Sequence, residues 1–220
     1  MRLTSLLQRL RGQREETAAT YWETRYKQKR QKRMSGAGSY GHLAAYKADF
    51  LNRFVAENDV NSVIEFGCGD GNQLSLAAYP HYIGIDVAET AIALCRARFA
   101  DDNDKKFLTS ADYDGTQADI SLSLDVVYHL LEDDVFHAYM RTLFGAAKRF
   151  VIIYSSDDET LNAVNEVWHV RHRNFTRWIA ENAPDWRLAH SEKNPYPFVA
   201  GDDDTSFADF FVYKPLGKGA

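Results

Sequence analysis

The sequence has few of the residues that mark disulfide-rich, fibrous or membrane-spanning proteins. Only two cysteines occur, Cys68 and Cys95, so a disulfide framework is excluded and their spacing suits no metal site. Only five prolines and no run of eighteen apolar residues are present, which excludes a collagen-like chain and predicts no transmembrane helix. The basic N-terminus has no apolar stretch typical of a secretory signal. We therefore expect a cytoplasmic protein with reduced cysteines.

Charge is unevenly distributed along the chain. Residues 1–33 carry ten Lys or Arg and three Glu, whereas residues 34–220 carry sixteen and twenty-eight acids. This contrast predicts a basic N-terminal helical segment, 1–33, and a single domain, 34–220. The segment could cover the domain as a lid or extend as an arm toward nucleic acid. A leucine stripe at helical spacing also leaves weak membrane-surface contact by residues 1–12 open.

Short apolar strands alternate with helices over most of the domain. Helices are expected at 42–57, from 72 onward, at 89–99 and at 133–147, and strands at 62–66, 82–85, 106–109, 120–124 and 150–154. Helical stretches at 158–170 and 173–182 and strands at 186–189 and 207–213 follow. This order predicts an α/β fold, a doubly wound, mostly parallel seven-stranded sheet with an antiparallel edge strand and an N-terminal helical lid.

A glycine-rich turn follows the first expected strand. Three alternating glycines, at 67, 69 and 71, let the backbone approach a ligand where no side chain fits. The next strand ends at Asp86, where a carboxylate is placed to accept hydrogen bonds from both ribose hydroxyls. The residue at position 72 is Asn, which departs from the dinucleotide fingerprint, and no Gly-Lys-Ser/Thr follows. Glu65 would repel a pyrophosphate but suits an amino group or another cation.

These motifs resemble those of the Rossmann-like, class I S-adenosylmethionine-dependent methyltransferases. The sequence E-F-G-C-G-D-G is similar to the first motif of the family and Y-I-G-I-D-V to the second. The stretch ADISLSLDVVYHL is similar to the fourth-strand motif, and YWETRY to an aromatic helix that covers the cofactor in many small-molecule members. The resemblance spans about residues 20–155. It implies S-adenosylmethionine as cofactor, whose sulfonium and ammonium suit the carboxylates named above.

The resemblance also implies a set of cofactor contacts. Glu65 and the glycine turn would face the methionine end, and Asp86 the ribose. Val87 would pack on the adenine, with Asp112 and Tyr113 at its rim. The full set of implied cofactor-binding residues is Trp22, Tyr26, Glu65, Phe66, Gly67, Gly69, Gly71, Asp86, Val87, Asp112, Tyr113, Ser123 and Leu124.

Two residues after the fourth strand are the catalytic candidates. His129 would lie beside the transferred methyl group, and an imidazole that titrates near neutrality suits a general base. The alternative is that His129 shapes the pocket or caps a helix. Asp125 has a comparable claim to orient the substrate or the amino group of the cofactor. His169 and His172, one helical turn apart, could be metal ligands, but no third ligand and no acidic cluster is identifiable, so no metal site is predicted.

The acceptor is less readable. No Asn/Asp-Pro-Pro-aromatic element follows the fourth strand and no cysteine nucleophile lies near it, which argues against methylation of nucleic-acid bases. A basic stretch after the fifth strand suits an anionic acceptor such as a sugar nucleotide. The candidate substrate-binding residues are Tyr40, Tyr128, Arg171, His172 and Arg173.

Three functions remain open from the sequence. The first is O-methylation of a small polar acceptor, such as a glycan, a sugar nucleotide or a similar metabolite. The second is a nucleic-acid or protein methyltransferase that docks its substrate through the basic arm. The third is a non-catalytic, cofactor-binding partner subunit. The sequence makes no prediction of the oligomeric state.

Overall fold

The computed structural model describes residues 17–28, 34–164 and 167–217. Most of the basic segment, including residues 1–12, therefore lies outside the described residues. Within the described part, no helix is long and apolar enough to cross a membrane.

Five helices and seven strands form the described fold. The helices are α1 (Ala18–Lys27), α2 (Gly41–Glu57), α3 (Glu89–Arg98), α4 (Asp133–Gly145) and α5 (Phe175–Asn182). The strands are β1 (Ser62–Phe66), β2 (His81–Asp86), β3 (Lys105–Thr109), β4 (Ala118–Leu124), β5 (Ala147–Ser155), β6 (Trp186–Glu192) and β7 (Asp209–Pro215). Expected elements and observed ones agree within a few residues, except in two segments considered below.

The strands form one sheet in the order β3-β2-β1-β4-β5-β7-β6. Strands β1 to β5 run parallel, whereas β7 is antiparallel to both β5 and β6. The expected doubly wound, mostly parallel seven-stranded sheet is thus confirmed. The chain crosses the sheet between β3 and β4, so the connections after β1 and β4 leave in opposite directions. A crevice forms at such a switch point, at the carboxyl ends of the strands.

Helices cover both faces of the sheet. Alternate residues of β5 belong to different cores: Ile152 packs with α2 and α3, and Ile153 with α4 and α5. The strand sequences are therefore nearly continuous apolar runs, because both strand faces are buried. On α2, Phe50 and Leu51 face the sheet and are almost fully buried.

Two expected helices are short turns instead. The helix expected from Asn72 is a 3-10 turn over Leu74–Leu76, because Pro80 and the start of β2 leave too little chain for an α-helix. The helical stretch expected at 158–170 is a 3-10 turn over Glu159–Ala163 in the described residues. Its N-terminus is capped by the Asp158 side chain, which accepts from the Thr160 amide.

Candidate active site

A cavity of about 440 Å³ lies at the carboxyl ends of β1, β2 and β4. Nine of the thirteen cofactor-binding candidates line it, as do both catalytic candidates. The sequence-predicted residues on its wall are Trp22, Tyr26, Glu65, Phe66, Gly67, Gly69, Asp86, Val87, Leu124, Asp125 and His129. Residues far apart in sequence therefore meet at the predicted edge of the sheet.

The glycine turn is shaped by left-handed backbone angles. Gly67 has φ +90° and Gly69 has φ +60°, a region that side chains strongly disfavour. A Cβ on Gly69 would lie 2.5 Å from Ser35 Oγ and 3.1 Å from Tyr26 OH. A Cβ on Gly67 would overlap Val126 Cγ2. Gly69 is thus needed for close approach of Tyr26 and Ser35, and Gly67 for close approach of Val126, in addition to any approach of a ligand.

Asp70 links the segment 34–40 to the glycine turn. Its side chain is almost fully buried, and its two oxygens accept from Ser35 Oγ and Tyr40 OH, each at 2.8 Å. Tyr40, predicted to bind substrate, lines neither cavity of this site. Its hydroxyl holds the segment 34–40 in place instead.

Helix α1 covers the cavity, as the sequence suggested. Glu23 accepts from the backbone amide and hydroxyl of Thr90 at the start of α3, at 3.1 and 2.6 Å. Tyr26 OH lies 3.2 Å from Ser35 Oγ. The ring of Trp22 meets His129 edge-on, with centroids 5.0 Å apart. The helix is therefore held by Ser35 and by the start of α3.

Two buried carboxylates face the cavity with raised pKa values. Asp86 accepts from the amides of Gly69 and Ala88, both at 2.9 Å, yet burial raises its pKa to about 6. Burial likewise raises the pKa of Glu65 to about 7, although Tyr82 OH donates to it at 2.5 Å. A cationic ligand would favour the ionised form of both groups.

Asp125 lies at the end of β4 in a strained conformation. Its φ of +59° is uncommon for a residue with a side chain. Lys47 Nζ contacts Oδ2 at 2.5 Å, and Tyr128 OH donates to Oδ1 at 2.8 Å. These two partners fix the carboxylate where it lines the cavity.

His129 is held in one tautomer. Its Nδ1 lies 2.8 Å from the backbone carbonyl of His169, and because a carbonyl only accepts, Nδ1 carries the proton and Nε2 the lone pair. Burial lowers the pKa of His129 to about 4. The expectation that it titrates near neutrality was therefore wrong, because no local pattern around His129 indicates that its ring is removed from water.

A second cavity, of about 310 Å³, adjoins the first. Both cavities are lined by Trp22, Ser35, Asp125 and His129. Aromatic side chains form much of the remaining wall, and two acidic residues lie on it. These residues are Tyr21, Tyr128, Phe198, Phe207, Asp202 and Asp203.

Four cofactor-binding candidates lie off the cavity wall. Gly71 packs on α3, where a Cβ would come 2.8 Å from Phe99 Cε2. Asp112 accepts from Thr109 Oγ1 at 2.6 Å, and Ser123 from Tyr139 OH at 2.7 Å.

Tyr113 is the fourth of these candidates. Its ring packs edge-on against Phe66, with centroids 5.3 Å apart. Ser110, at the end of β3, lines the cavity where the adenine rim was expected.

The three basic substrate-binding candidates also lie elsewhere. Arg173 is largely buried and contacts Asp133 at 2.6 Å, and Arg171 contacts the same carboxylate at 3.0 Å. His172 Nδ1 lies 2.6 Å from Ser156 Oγ. None of the three lines either cavity. Their contacts anchor the segment 167–174 to the body of the protein.

Sequence reasoning missed several residues of the site. Asp70 and Ser35 became apparent only through their hydrogen bonds. Lys47 had a readable signal, because it falls on the apolar stripe of α2 at helical spacing between Leu43 and Phe50. A lysine in such a stripe is buried only when something pairs with it.

The donor set fits S-adenosylmethionine. Six carboxylates, those of Glu65, Asp70, Asp86, Asp125, Glu132 and Asp134, line the first cavity and suit a ligand with a sulfonium and an ammonium. Gln73 Oε1 is buried on this wall with no partner among the described residues, so it can accept from a ligand. Within the described part of the chain, no group of three His, Cys, Asp or Glu is arranged to hold a metal.

The fold is similar to that of several solved methyltransferase structures. The N-methyltransferase NodS from Bradyrhizobium japonicum WM9, in complex with S-adenosyl-L-homocysteine, has a TM-score of 0.70 and 13% identity, over 90% of this chain and 98% of that one. The magnesium protoporphyrin IX methyltransferase ChlM from Synechocystis PCC 6803, with bound S-adenosylmethionine, has a TM-score of 0.65 and 16% identity, over 91% and 98%. The methyltransferase domain of bacterial CtHen1-C has a TM-score of 0.59 and 17% identity, over 77% and 96%.

Sequence comparison agrees with the fold. No curated protein sequence gave a significant match. A family model described as "Methyltransferase domain" matches residues 40–196, which contain the glycine turn, Asp86, Asp125 and His129. The chain therefore belongs to this methyltransferase family and is a class I enzyme that uses S-adenosylmethionine.

Proposed function

We propose that the enzyme methylates a hydroxyl oxygen of a small polar acceptor, a glycan or similar sugar metabolite, bound in the second cavity. The observation that carries this proposal is the shared wall of the two cavities. Asp125 and His129 lie on both walls, so an acceptor in one cavity meets a cofactor in the other beside these two side chains. Proximity of this kind supplies a large part of the rate of a group transfer.

The first cavity would hold the cofactor along the carboxyl edge of the sheet. When bound, S-adenosylmethionine supplies a methyl group activated by its sulfonium. Asp86 would accept from the ribose hydroxyls, and Val87, exposed at the mouth, would pack on the adenine. Glu65 would face the ammonium, with Trp22 and Tyr26 excluding water from above.

The second cavity has the chemistry of a sugar site. Its aromatic walls offer flat faces for the apolar side of a sugar ring, and its carboxylates can accept from ring hydroxyls. An anionic acceptor is less well supported, because Arg171 and Arg173 are paired with Asp133, away from the cavity. Asp202 and Asp203 on the wall would repel a phosphate, and Arg25, which also lies on this wall, donates to the Met34 carbonyl and to Tyr21 OH. An uncharged or amino-bearing sugar therefore fits better than a sugar nucleotide.

His129 would receive the proton of the acceptor hydroxyl. Its Nε2 has the free lone pair, and the carbonyl of His169 fixes the ring. Because the pKa of His129 is about 4, it is neutral at physiological pH and a weak base. It would orient the hydroxyl by accepting its hydrogen bond and take the proton as the carbon–oxygen bond forms. Asp125, which also lines both cavities, would help to orient the acceptor.

A panel of acceptors tests the proposal. The enzyme is incubated with S-adenosylmethionine and neutral oligosaccharides, amino sugars, sugar nucleotides, RNA or peptides, and S-adenosylhomocysteine is quantified. We expect turnover on neutral or amino sugars, weakly dependent on salt. Turnover confined to RNA and falling steeply with salt would contradict the proposal and favour docking through the basic segment. Asp86→Ala protein, impaired in cofactor binding, is the control for background hydrolysis.

A further inference from the structure

The first cavity carries one basic side chain among many acidic ones. Six carboxylates line it, and Lys47 is the only Lys or Arg on its wall within the described part of the chain. S-adenosylmethionine brings two cationic groups, which suit the carboxylates, but it also brings a carboxylate. That carboxylate would be repelled by most of the wall and needs a donor of its own.

The glycine turn does not supply that donor. The amides of Gly67 and Cys68 both donate to the carbonyl of Ile85, at 2.7 and 3.0 Å. The Gly69 amide donates to Asp86 at 2.9 Å. A cluster of free backbone amides, which often binds anions, is therefore not present at these positions.

The rest of the turn is committed in the same way. The Asp70 amide donates to Ser35 Oγ at 3.0 Å, and the Asn72 amide to Asp70 Oδ1 at 3.0 Å. The Gly71 amide points to the carbonyl of Cys68 at 3.4 Å. A side chain must take over the role that free amides would otherwise have.

Lys47 is built for such a role. Its side chain is 1% exposed, yet its ammonium has three donors and contacts Asp125 Oδ2 with one of them. The ammonium also lies 5.3 Å from the centre of the Tyr154 ring. A buried ion pair is weak evidence for stability, because apolar residues of similar size often stabilise a fold as well. Binding of a ligand therefore explains a buried lysine at this position better than stability does.

We propose that Lys47 binds the carboxylate of the methionyl group of the cofactor, using donors that Asp125 leaves free. The same ammonium then links the cofactor to Asp125, which lies on both cavities. The proposal rests on the cofactor and not on the identity of the acceptor.

Calorimetry with two ligands tests it without an acceptor. S-adenosylhomocysteine has the carboxylate, whereas 5′-methylthioadenosine keeps the adenosine and the thioether but lacks the amino-acid end. Lys47→Met is expected to weaken S-adenosylhomocysteine by about 10- to 100-fold, the loss of a charge-assisted hydrogen bond. Its affinity for methylthioadenosine should change less than about 2-fold. Lys148→Met, which removes an exposed positive charge on β5, is the matched control.

Two results would overturn the assignment. One is unchanged affinity of folded Lys47→Met protein for S-adenosylhomocysteine, and the other is an equal loss for both ligands, which indicates a structural role. Lys47→Gln, which keeps a donor without the charge, gives the same test if the Met variant does not fold. Asp125→Asn separates direct from indirect action: it should not weaken S-adenosylhomocysteine. If Asp125→Asn lost as much affinity for S-adenosylhomocysteine as Lys47→Met, binding would depend on the Lys47–Asp125 ion pair and not on direct contact with the ammonium.

Discussion

The proposed cofactor half of the site, the first cavity, and the proposed acceptor half, the second cavity, are built differently. The cofactor half comes from consecutive strand ends, where Glu65, the glycine turn and Asp86 are fixed by backbone hydrogen bonds. The acceptor half is assembled from α1, the segment 34–38, the end of β4 and the loops near 167–170 and 198–207. Backbone hydrogen bonds fix the geometry of a strand end, whereas the wall of the second cavity depends on how several helices and loops pack together. Substitutions should therefore act locally and strongly in the cofactor half, and weakly in most of the acceptor half.

The largest effect is expected at the glycine turn. Gly69→Val should abolish cofactor binding, because the side chain would clash with Ser35 and Tyr26 and the backbone has φ +60°. Calorimetry with S-adenosylhomocysteine measures it. Gly115→Val is the matched control, since Gly115 has φ +89° but nothing within 4 Å of a Cβ. Retained affinity in the Gly69 variant would show that Ser35 and Tyr26 move aside without cost. The two cavities would then not differ in how strongly they respond to substitution.

Substitution of His129, which lines both cavities, should affect the turnover rate more than the affinity for the cofactor. His129→Ala is expected to lower turnover on a hydroxyl acceptor by about 10²- to 10⁴-fold, because a positioned proton acceptor is lost. Affinity for S-adenosylhomocysteine should stay within about 2-fold. Since the pKa of His129 is about 4, the group is neutral above that pH. The acidic limb that it causes in kcat/KM of the native enzyme should therefore lie near pH 4 and vanish in the variant.

The outcome for His129 also decides between acceptors. Near-native turnover of the variant on the acceptor found in the panel would remove the base role. Transfer to a nucleophile that loses no proton would then explain the rate by proximity alone.

Asp86 should show a smaller, purely cofactor-side loss. Asp86→Ala is expected to weaken S-adenosylhomocysteine by about 2–3 kcal/mol, as two charge-assisted hydrogen bonds to the ribose are removed. Asp112→Ala is the control: this residue was implied by the family resemblance but lies off the cavity, so its affinity should not change. Equal losses of S-adenosylhomocysteine affinity in the two variants would contradict the proposal that the cofactor lies in the first cavity, against Asp86 and away from Asp112.

The smallest effect is expected on the aromatic wall of the acceptor half. Phe198→Ala should raise KM for a sugar acceptor by about 3- to 10-fold, the range for one aromatic contact, and leave cofactor affinity unchanged. Val199→Ala, an exposed neighbour that is absent from the wall, is the control for loop disturbance. A KM that does not move would place the acceptor outside the second cavity.

The sequence alone determined the sheet and the cofactor half of the site. Apolar strands alternating with helices specify a helix-covered parallel sheet, because both faces of every strand must be buried. Glycines after β1 and a carboxylate at the end of β2 are local features whose meaning depends little on the rest of the chain. This is why nine of the thirteen cofactor-binding candidates lie on the cavity wall.

Only the tertiary structure decided the wall of the second cavity, the proposed acceptor site, and the protonation of His129. Two arginines and a histidine at positions 171–173 suggested an anion site, but Asp133 and Ser156, distant in sequence, take up their side chains. The pKa of His129 is set by burial beneath α1, which no local pattern encodes. The burial of Lys47 is explained by its ion pair with Asp125, which is distant in sequence. Hydrogen bonds and desolvation between distant segments follow from packing, so they were not readable along the chain.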